Sequence, residues 1–140
     1  MQRGKAQIAN KTGDVFIPVD DCKAIRPLFE NIWTANLATF SVILEETSDT
    51  NIAALCIEGF AHSIKICGYY DMVTERNAFV SSFSQFASVT DQRKIKEKNI
   101  LVIRKILELA TYQGNYLGDA WKFVLEQVSR LEEMMHMGSG

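Results

Sequence analysis

The residue types that most often act in catalysis or bind metals are sparse in this chain. His62 and His136 are the only histidines, so a histidine-dependent base or metal site would need one of them. The nearest group that could orient His62 is Glu58, four residues earlier, and such a pair is typical of a helix surface. No nucleophile stands near His62 in the order of a catalytic triad. We therefore interpret His62 as a structural or solvated side chain.

The three cysteines, Cys22, Cys56 and Cys67, show neither a C-x-x-C motif nor the spacing of a zinc site. They cannot all pair within one chain, which favours a reducing, cytosolic setting. Cys56 and Cys67 are eleven residues apart, about three helical turns, and therefore share a helix face with aliphatic residues. A reactive thiolate needs an accessible, electropositive setting. We predict buried structural thiols, and neither a metal nor a cofactor.

The acidic pairs and the glycine-rich segment do not indicate catalysis. Carboxylates that are sequence neighbours, such as Glu45-Glu46 and Glu132-Glu133, point in different directions on a helix and form no acid–base pair. The segment Gly114-Asn115-Tyr116-Leu117-Gly118 has two glycines before a helix but lacks the strand and the Lys-Ser/Thr of a phosphate-binding loop. We interpret it as a helix–helix corner, with Gly114 just past the end of the helix.

One group of basic residues suits a binding surface. Lys94 and Lys98 are four residues apart, so a continuous helix would place them on one face, and Arg104 or Lys105 would extend it. Such a cationic ridge suits acidic partners or anionic lipid headgroups. A solvated helix face is the alternative, because Glu97 and Glu108 dilute the positive charge. The candidate binding residues are Arg93, Lys94, Lys96, Lys98, Arg104 and Lys105.

Length and charge limit the class of protein. A chain of 140 residues that is 47% hydrophobic and 23% charged is typical of one globular domain. The net charge of −2 argues against a dedicated nucleic-acid-binding protein, which needs a basic surface. Apolar runs are too short to span a membrane, and the first residues lead into no hydrophobic segment, so we expect neither a membrane span nor a secretion signal.

Helical periodicity predicts the elements that position these residues. We predict a flexible or extended arm over 1–21, a helical domain over 22–136, and a tail or expression scar over 137–140. Ser48 or Asp49 is expected to cap the second helix, which is apolar on two faces, and Thr90 and Asp91 to cap the fourth. An all-α, armadillo/HEAT-like stack of about five helices fits this pattern best, and an orthogonal bundle is the alternative.

Several sequence blocks, in order and at matching spacing, resemble one known family. They are Ile25–Trp33, Leu37–Val42, Leu55–Phe60, Glu75–Val80, Lys96–Ile100 and Gly114–Gly118 with Trp121. Together they resemble the region just downstream of the catalytic domain in large ARF guanine-nucleotide exchange factors of the brefeldin-A-inhibited, trans-Golgi type. The resemblance covers residues 25–133, nearly the whole predicted helical domain.

This resemblance implies the first homology-downstream domain of a factor that loads GTP onto ARF-type GTPases. Exchange in the family depends on a glutamate in a loop of a separate catalytic domain. No segment of this chain resembles that loop, so the chain is not expected to be an enzyme. The implied role is autoinhibition and recruitment to Golgi membranes, in control of vesicle-mediated transport. The implied partners are GTP-bound ARF and the factor's own catalytic domain in cis, with no nucleic acid.

The implied location is cytoplasmic, at the periphery of Golgi and trans-Golgi membranes. Two alternatives remain open at this point: an anionic-lipid-binding module, and a structural scaffold or dimerisation element of the same factor.

Overall fold

The computed structural model describes residues 22–88 and 92–138, which form five α-helices and contain no strand. The helices are α1 (Cys22–Glu46), α2 (Thr50–Tyr69), α3 (Val73–Ala87), α4 (Glu97–Leu117) and α5 (Trp121–Gly138). Short 3-10 turns occupy Gln92–Lys94 and Gly118–Ala120. The prediction of an all-α stack of about five helices is confirmed. The predicted arm over 1–21 and the predicted caps Thr90 and Asp91 lie outside the described residues, whereas α5 extends to Gly138.

The chain divides within α1, between Ile32 and Trp33, into two compact units. In the first unit, the turns of α1 up to Ile32 carry an i,i+4 ion pair with Arg26 Nε 3.0 Å from Glu30 Oε1. Asn31 Nδ2 also donates to the Pro27 carbonyl at 2.8 Å. These are local contacts between successive helical turns.

The second unit is layered around α2, α3 and α4. Helix α2 contacts α3 and α4, α3 contacts α4 and α5, and α4 contacts α5. Phe60 of α2 is fully buried, and its ring stacks on Phe83 at a centroid distance of 4.9 Å and meets the edge of Phe79 at 6.2 Å. A neighbouring side of α2 meets α1, where the Phe40 ring is 5.9 Å from the Phe60 ring and lies against Gly59 so closely that a Cβ there would be 2.7 Å from it. The prediction that α2 packs on two sides is confirmed.

The start of α2 is fixed by a local cap. Asp49 has an extended backbone, and its Oδ1 accepts hydrogen bonds from the backbone N–H groups of Asn51 at 2.8 Å and Ile52 at 3.3 Å. These N–H groups have no acceptor within the helix itself. The predicted cap at Asp49 is confirmed.

The start of α4 differs from the prediction. Ile95 and Lys96 precede the helix, which begins at Glu97. Asn99 holds this start, because its Oδ1 accepts from the Lys96 N–H at 2.9 Å and its Nδ2 donates to the Phe86 carbonyl of α3 at 2.8 Å. A tertiary contact between α3 and α4 thus sets where α4 begins.

The end of α4 also differs from the prediction. Gly114 lies inside the helix, which continues to Leu117, and the chain turns at Gly118, where φ is +48°. Gly114 lies against α5 instead: its carbonyl accepts from the Trp121 indole N–H at 2.9 Å, and a Cβ there would be 2.9 Å from the Trp121 ring. Close packing, rather than a helix end, requires this glycine.

Candidate functional site

The six predicted cations do not form one helical ridge. Arg93 and Lys94 lie in the 3-10 turn, Lys96 is the N-cap residue of α4, and only the other three belong to the helix. Because the helix begins at Glu97, the four-residue spacing of Lys94 and Lys98 does not place them on a common helix face. The premise that these two residues share a face was wrong.

Lys98 is used to cap α1. Its ammonium donates to the carbonyls of Leu44 and Glu45 at 2.7 Å each and to that of Thr47 at 3.1 Å. Carbonyls at a helix C-terminus lack intrahelical donors, and a cation is favoured there by the helix dipole. Partial burial, with a smaller effect of Lys96, lowers the pKa of Lys98. This side chain joins α4 to the α1–α2 connection.

Lys105 joins α4 to α2 through an ion pair. Its Nζ lies 2.7 Å from Glu58 Oε1 and 2.9 Å from Glu108 Oε2. The hydrogen bonds that Lys105 donates to Glu58 and Glu108 raise the pKa of Lys105, and the one it donates to Glu58 lowers the pKa of Glu58. Like Lys98, Lys105 has its charge directed at groups of the protein itself.

The other predicted cations keep exposed side chains. We call Arg93, Lys94 and Lys96 the 93–96 patch, and all three are exposed. Arg104 is also exposed, but it lies eight residues beyond Lys96, about 12 Å along the helix axis. The positive surface is therefore a short patch before α4 together with one separate arginine.

A groove adjoins the 93–96 patch. It has a volume of about 220 Å³ and lies between the α1–α2 connection and the start of α4. Thr50 Oγ1 donates to Glu97 Oε2 across it at 3.2 Å. Its lining residues are Thr47, Ser48, Asp49, Thr50, Ala53, Lys96, Glu97 and Lys98. Charges of both signs line the groove, so it has no net preference for an anion.

Two of the sequence blocks that carry the family resemblance meet in the structure. Arg76, in the block Glu75–Val80, is buried, and its Nη1 donates to the Tyr116 carbonyl in the block Gly114–Gly118 at 3.0 Å. The guanidinium also fills the space beside Gly118, where a Cβ would lie 2.8 Å from Nη2. These blocks build a helix corner around a buried cation.

Sequence reasoning missed Arg76. The available signal was an arginine in the first turn of a helix, where the dipole favours acidic residues instead. Its charge is placed at the C-terminal end of α4, where carbonyls are exposed and a cation is favoured. Arg76 Nε is buried without a hydrogen-bond partner, and Nη1 makes the bond to this helix end.

The predicted exposure of His62 and the predicted burial of Cys56 and Cys67 are confirmed. His62 is exposed, with Nε2 3.8 Å from Glu58 Oε2. Cys56 and Cys67 are buried free thiols, and burial raises the pKa of Cys67 to about 12. Within 22–88 and 92–138, no group of three or more His, Cys, Asp or Glu side chains could hold a metal ion. Over the same ranges, no helix has the length and apolar character needed to cross a membrane.

These features define a small all-α module in which two of the recognisable sequence blocks meet at the corner between α4 and α5. The chain is 39% identical over all 140 residues to brefeldin A-inhibited guanine nucleotide-exchange protein 3 of Arabidopsis thaliana, and 38% identical over 140 residues to protein 2 of that plant. It is 38% identical over 119 residues, 83% of the chain, to brefeldin A-inhibited guanine nucleotide-exchange protein 1 of Homo sapiens.

The chain spans about 8% of the length of the two plant relatives and 6% of the human one. The chain therefore belongs to the family of brefeldin A-inhibited guanine nucleotide-exchange proteins, as the homologue of one segment of these large proteins. No protein-family model matches it. No solved structure matches it either.

Proposed function

We propose that this chain is a non-catalytic regulatory domain of a large ARF guanine-nucleotide exchange factor. The observation that carries the proposal is the match of all 140 residues to a segment that makes up only 8% of an exchange protein. By its resemblance, the segment is the one immediately after the catalytic exchange domain. Its proposed location is the cytoplasmic surface of Golgi and trans-Golgi membranes, where it acts in vesicle-mediated transport.

The proposed mechanism is a two-state contact. In the resting state the domain binds the catalytic domain of the same polypeptide, and on the membrane it binds GTP-bound ARF instead. A ligand shifts such an equilibrium only by its difference in affinity for the two states. A coupling free energy of about 1–3 kcal/mol would change activity roughly 5- to 150-fold.

Co-sedimentation with liposomes tests this function. Vesicles carrying lipid-anchored ARF, loaded with a GTP analogue or with GDP, are incubated with the 140-residue chain at two salt concentrations. We expect more chain in the GTP-analogue pellet than in the GDP pellet, at both salt concentrations. Equal binding to the two loaded forms would contradict recognition of activated ARF.

A parallel exchange assay tests the non-catalytic part of the proposal. We expect the chain alone to leave the rate of nucleotide release from ARF unchanged, because no residue in it resembles the exchange glutamate of the family. Acceleration of release by the isolated chain would contradict the proposed role.

Anionic-lipid binding is the second candidate function, and the exposed 93–96 patch favours it. Basic side chains near an anionic membrane each contribute about 1 kcal/mol, and salt screens this attraction. Pelleting that ignores the nucleotide but falls steeply with salt would support this candidate. Absence of pelleting under every condition would leave a scaffold or dimerisation element, for which sedimentation of the chain alone is the test.

A further inference from the structure

Five apolar side chains lie partly exposed on the outer surface of the α4–α5 hairpin. Ile100 and Leu107 of α4 and Leu125 and Val128 of α5 are between 41% and 57% exposed, and Ile103 is half-buried beside them. We call these five residues the α4–α5 outer face. Other residues of α4, namely Val102, Ile106 and Leu109, are buried and form its inner face.

The two helices contribute to the same face. Ile100, Ile103, Leu107 and Gly114 repeat at spacings of three, four and seven residues and therefore lie on one side of α4. Trp121, Leu125 and Val128 repeat in the same way along α5. The two rows meet where the Trp121 indole donates to the Gly114 carbonyl at 2.9 Å. The rows are thus adjacent at the hairpin corner.

The α4–α5 outer face is too small to hold two separate copies of the chain together as a stable dimer. Five partly exposed side chains present on the order of 400 Å² of apolar surface, within the range of the largest patch on an ordinary monomer. A stable interface between separate proteins needs about 800 Å² from each partner. A helix of the same polypeptide needs less, because its tether removes most of the translational entropy cost of association.

The spacing of the face indicates the shape of its partner. Rows with three- and four-residue spacing form ridges that accept the side chains of another α-helix. The relatives supply ample chain for such a helix, since the segment is only 8% of their length.

We infer that an amphipathic α-helix from another part of the same long polypeptide packs on the α4–α5 outer face. This helix continues the stack by one layer and covers Leu107 and Leu125. The inference rests on the proposal that the chain is one segment of a large exchange protein, but it does not depend on ARF or lipid binding.

Site-specific photo-crosslinking of the full-length exchange protein tests the inference. A benzoylphenylalanine replaces Leu107 or Leu125 and, as the control, Tyr112, which is 77% exposed on another side of α4. After irradiation, mass spectrometry maps the crosslinked peptides. We expect positions 107 and 125 to crosslink to one helix of the same polypeptide outside these 140 residues, with no such crosslink from position 112.

Other crosslinking results would overturn the inference. A crosslink between two copies would identify a dimer interface, and a crosslink to residues within 1–140 would identify a contact inside the segment. Absence of crosslinks from positions 107 and 125 in a protein that crosslinks at a buried reference position such as Phe83 would show that the face is open to solvent. ARF-dependent membrane binding is measured by co-sedimentation and not by crosslinking. Failure of the added-helix inference can therefore be distinguished from failure of the proposed function.

A charge substitution provides an independent readout. We expect Leu107→Glu to leave the 140-residue chain folded, because the side chain at position 107 is half exposed in that chain. In the full-length protein the same substitution would bury a carboxylate against the added helix. We expect faster proteolytic cleavage of the full-length variant only, and Tyr112→Glu to leave cleavage unchanged. Equal cleavage of wild-type and Leu107→Glu full-length proteins would contradict the inference.

Discussion

At the scale of single residues, Lys98 shows how a charge that looks available in sequence is used inside the fold. Three carbonyl oxygens at the end of α1 lie within 3.1 Å of its ammonium. The side chain therefore supplies donors to carbonyls at a helix end, where donors from the helix itself are lacking. Membrane or partner binding through Lys98 would first have to break this cap.

We expect Lys98→Met to destabilise the chain by about 1–2 kcal/mol. The substitution keeps much of the aliphatic chain but removes hydrogen bonds from a charged donor, each typically worth about 1.5–3 kcal/mol before allowing for partial exposure. Urea unfolding monitored by circular dichroism measures the change. Lys94→Met, in the exposed 3-10 turn, is the matched control and should change stability by less than about 0.5 kcal/mol. Equal midpoints for the two variants would contradict the capping role.

Cys67 is a second residue whose surroundings determine its chemistry. It has no exposed surface, and burial raises the pKa of its thiol to about 12. Alkylating agents attack the thiolate, so both its inaccessibility and its protonation oppose reaction.

We expect thiol labelling of Cys56 and Cys67 to require opening of the fold. In a Cys22→Ser chain at neutral pH, reaction with a thiol reagent should be at least about 100-fold slower in the native state than in denaturant. Absorbance of the released chromophore follows the reaction. Native-state labelling at the rate of the unfolded chain would contradict the burial of these thiols.

At the scale of elements, the turn between α4 and α5 depends on Gly118. Its φ of +48° and ψ of −131° lie in a region that residues with a Cβ rarely adopt. The buried Arg76 guanidinium also occupies the space where a Cβ would project. Backbone conformation and packing therefore both favour glycine at position 118.

We expect Gly118→Ala to destabilise the chain by about 2 kcal/mol. Residues held in sparsely populated backbone regions cost on the order of 1–3 kcal/mol, and displacement of Arg76 adds to this cost. Thermal and urea unfolding measure the loss. Asn115→Ala, at an exposed position in the last turn of α4, is the control and should be nearly neutral. Gly118→Ala with wild-type stability would mean that the corner relaxes without strain.

At the scale of the whole molecule, the fold separates cations that hold helices together from cations whose side chains are exposed. Lys98, Lys105 and Arg76 hold helices together, while the 93–96 patch and Arg104 have exposed side chains. If the chain binds anionic membranes, the exposed group carries the attraction.

We expect Lys94→Glu to weaken binding to anionic vesicles at least about 5-fold, and Lys94→Glu with Lys96→Glu at least about 30-fold, because each basic side chain contributes about 1 kcal/mol and each glutamate adds repulsion. Co-sedimentation at low salt measures the partition coefficient. Lys122→Glu, on α5, changes the net charge by the same amount as Lys94→Glu and should have a smaller effect. Equal loss from Lys94→Glu and Lys122→Glu would indicate a response to net charge rather than to the patch.

Local and periodic features were predictable from the sequence. The α-helical class, the cap at Asp49 and the burial of Cys56 and Cys67 depend on residues a few positions apart along one helix. The family resemblance depends on sequence order and was likewise accessible before the fold.

Only the tertiary structure decided the roles of Lys98, Arg76 and Gly114. Lys98 binds carbonyls more than 50 residues away, and Arg76 binds one 40 residues away. Helical periodicity indicates which side of its own helix a residue occupies. It does not indicate which other helix, or which helix end, packs against that side. The sequence by itself therefore determined the helices and the family, whereas packing of distant segments decided which cations are structural and which apolar face remains uncovered.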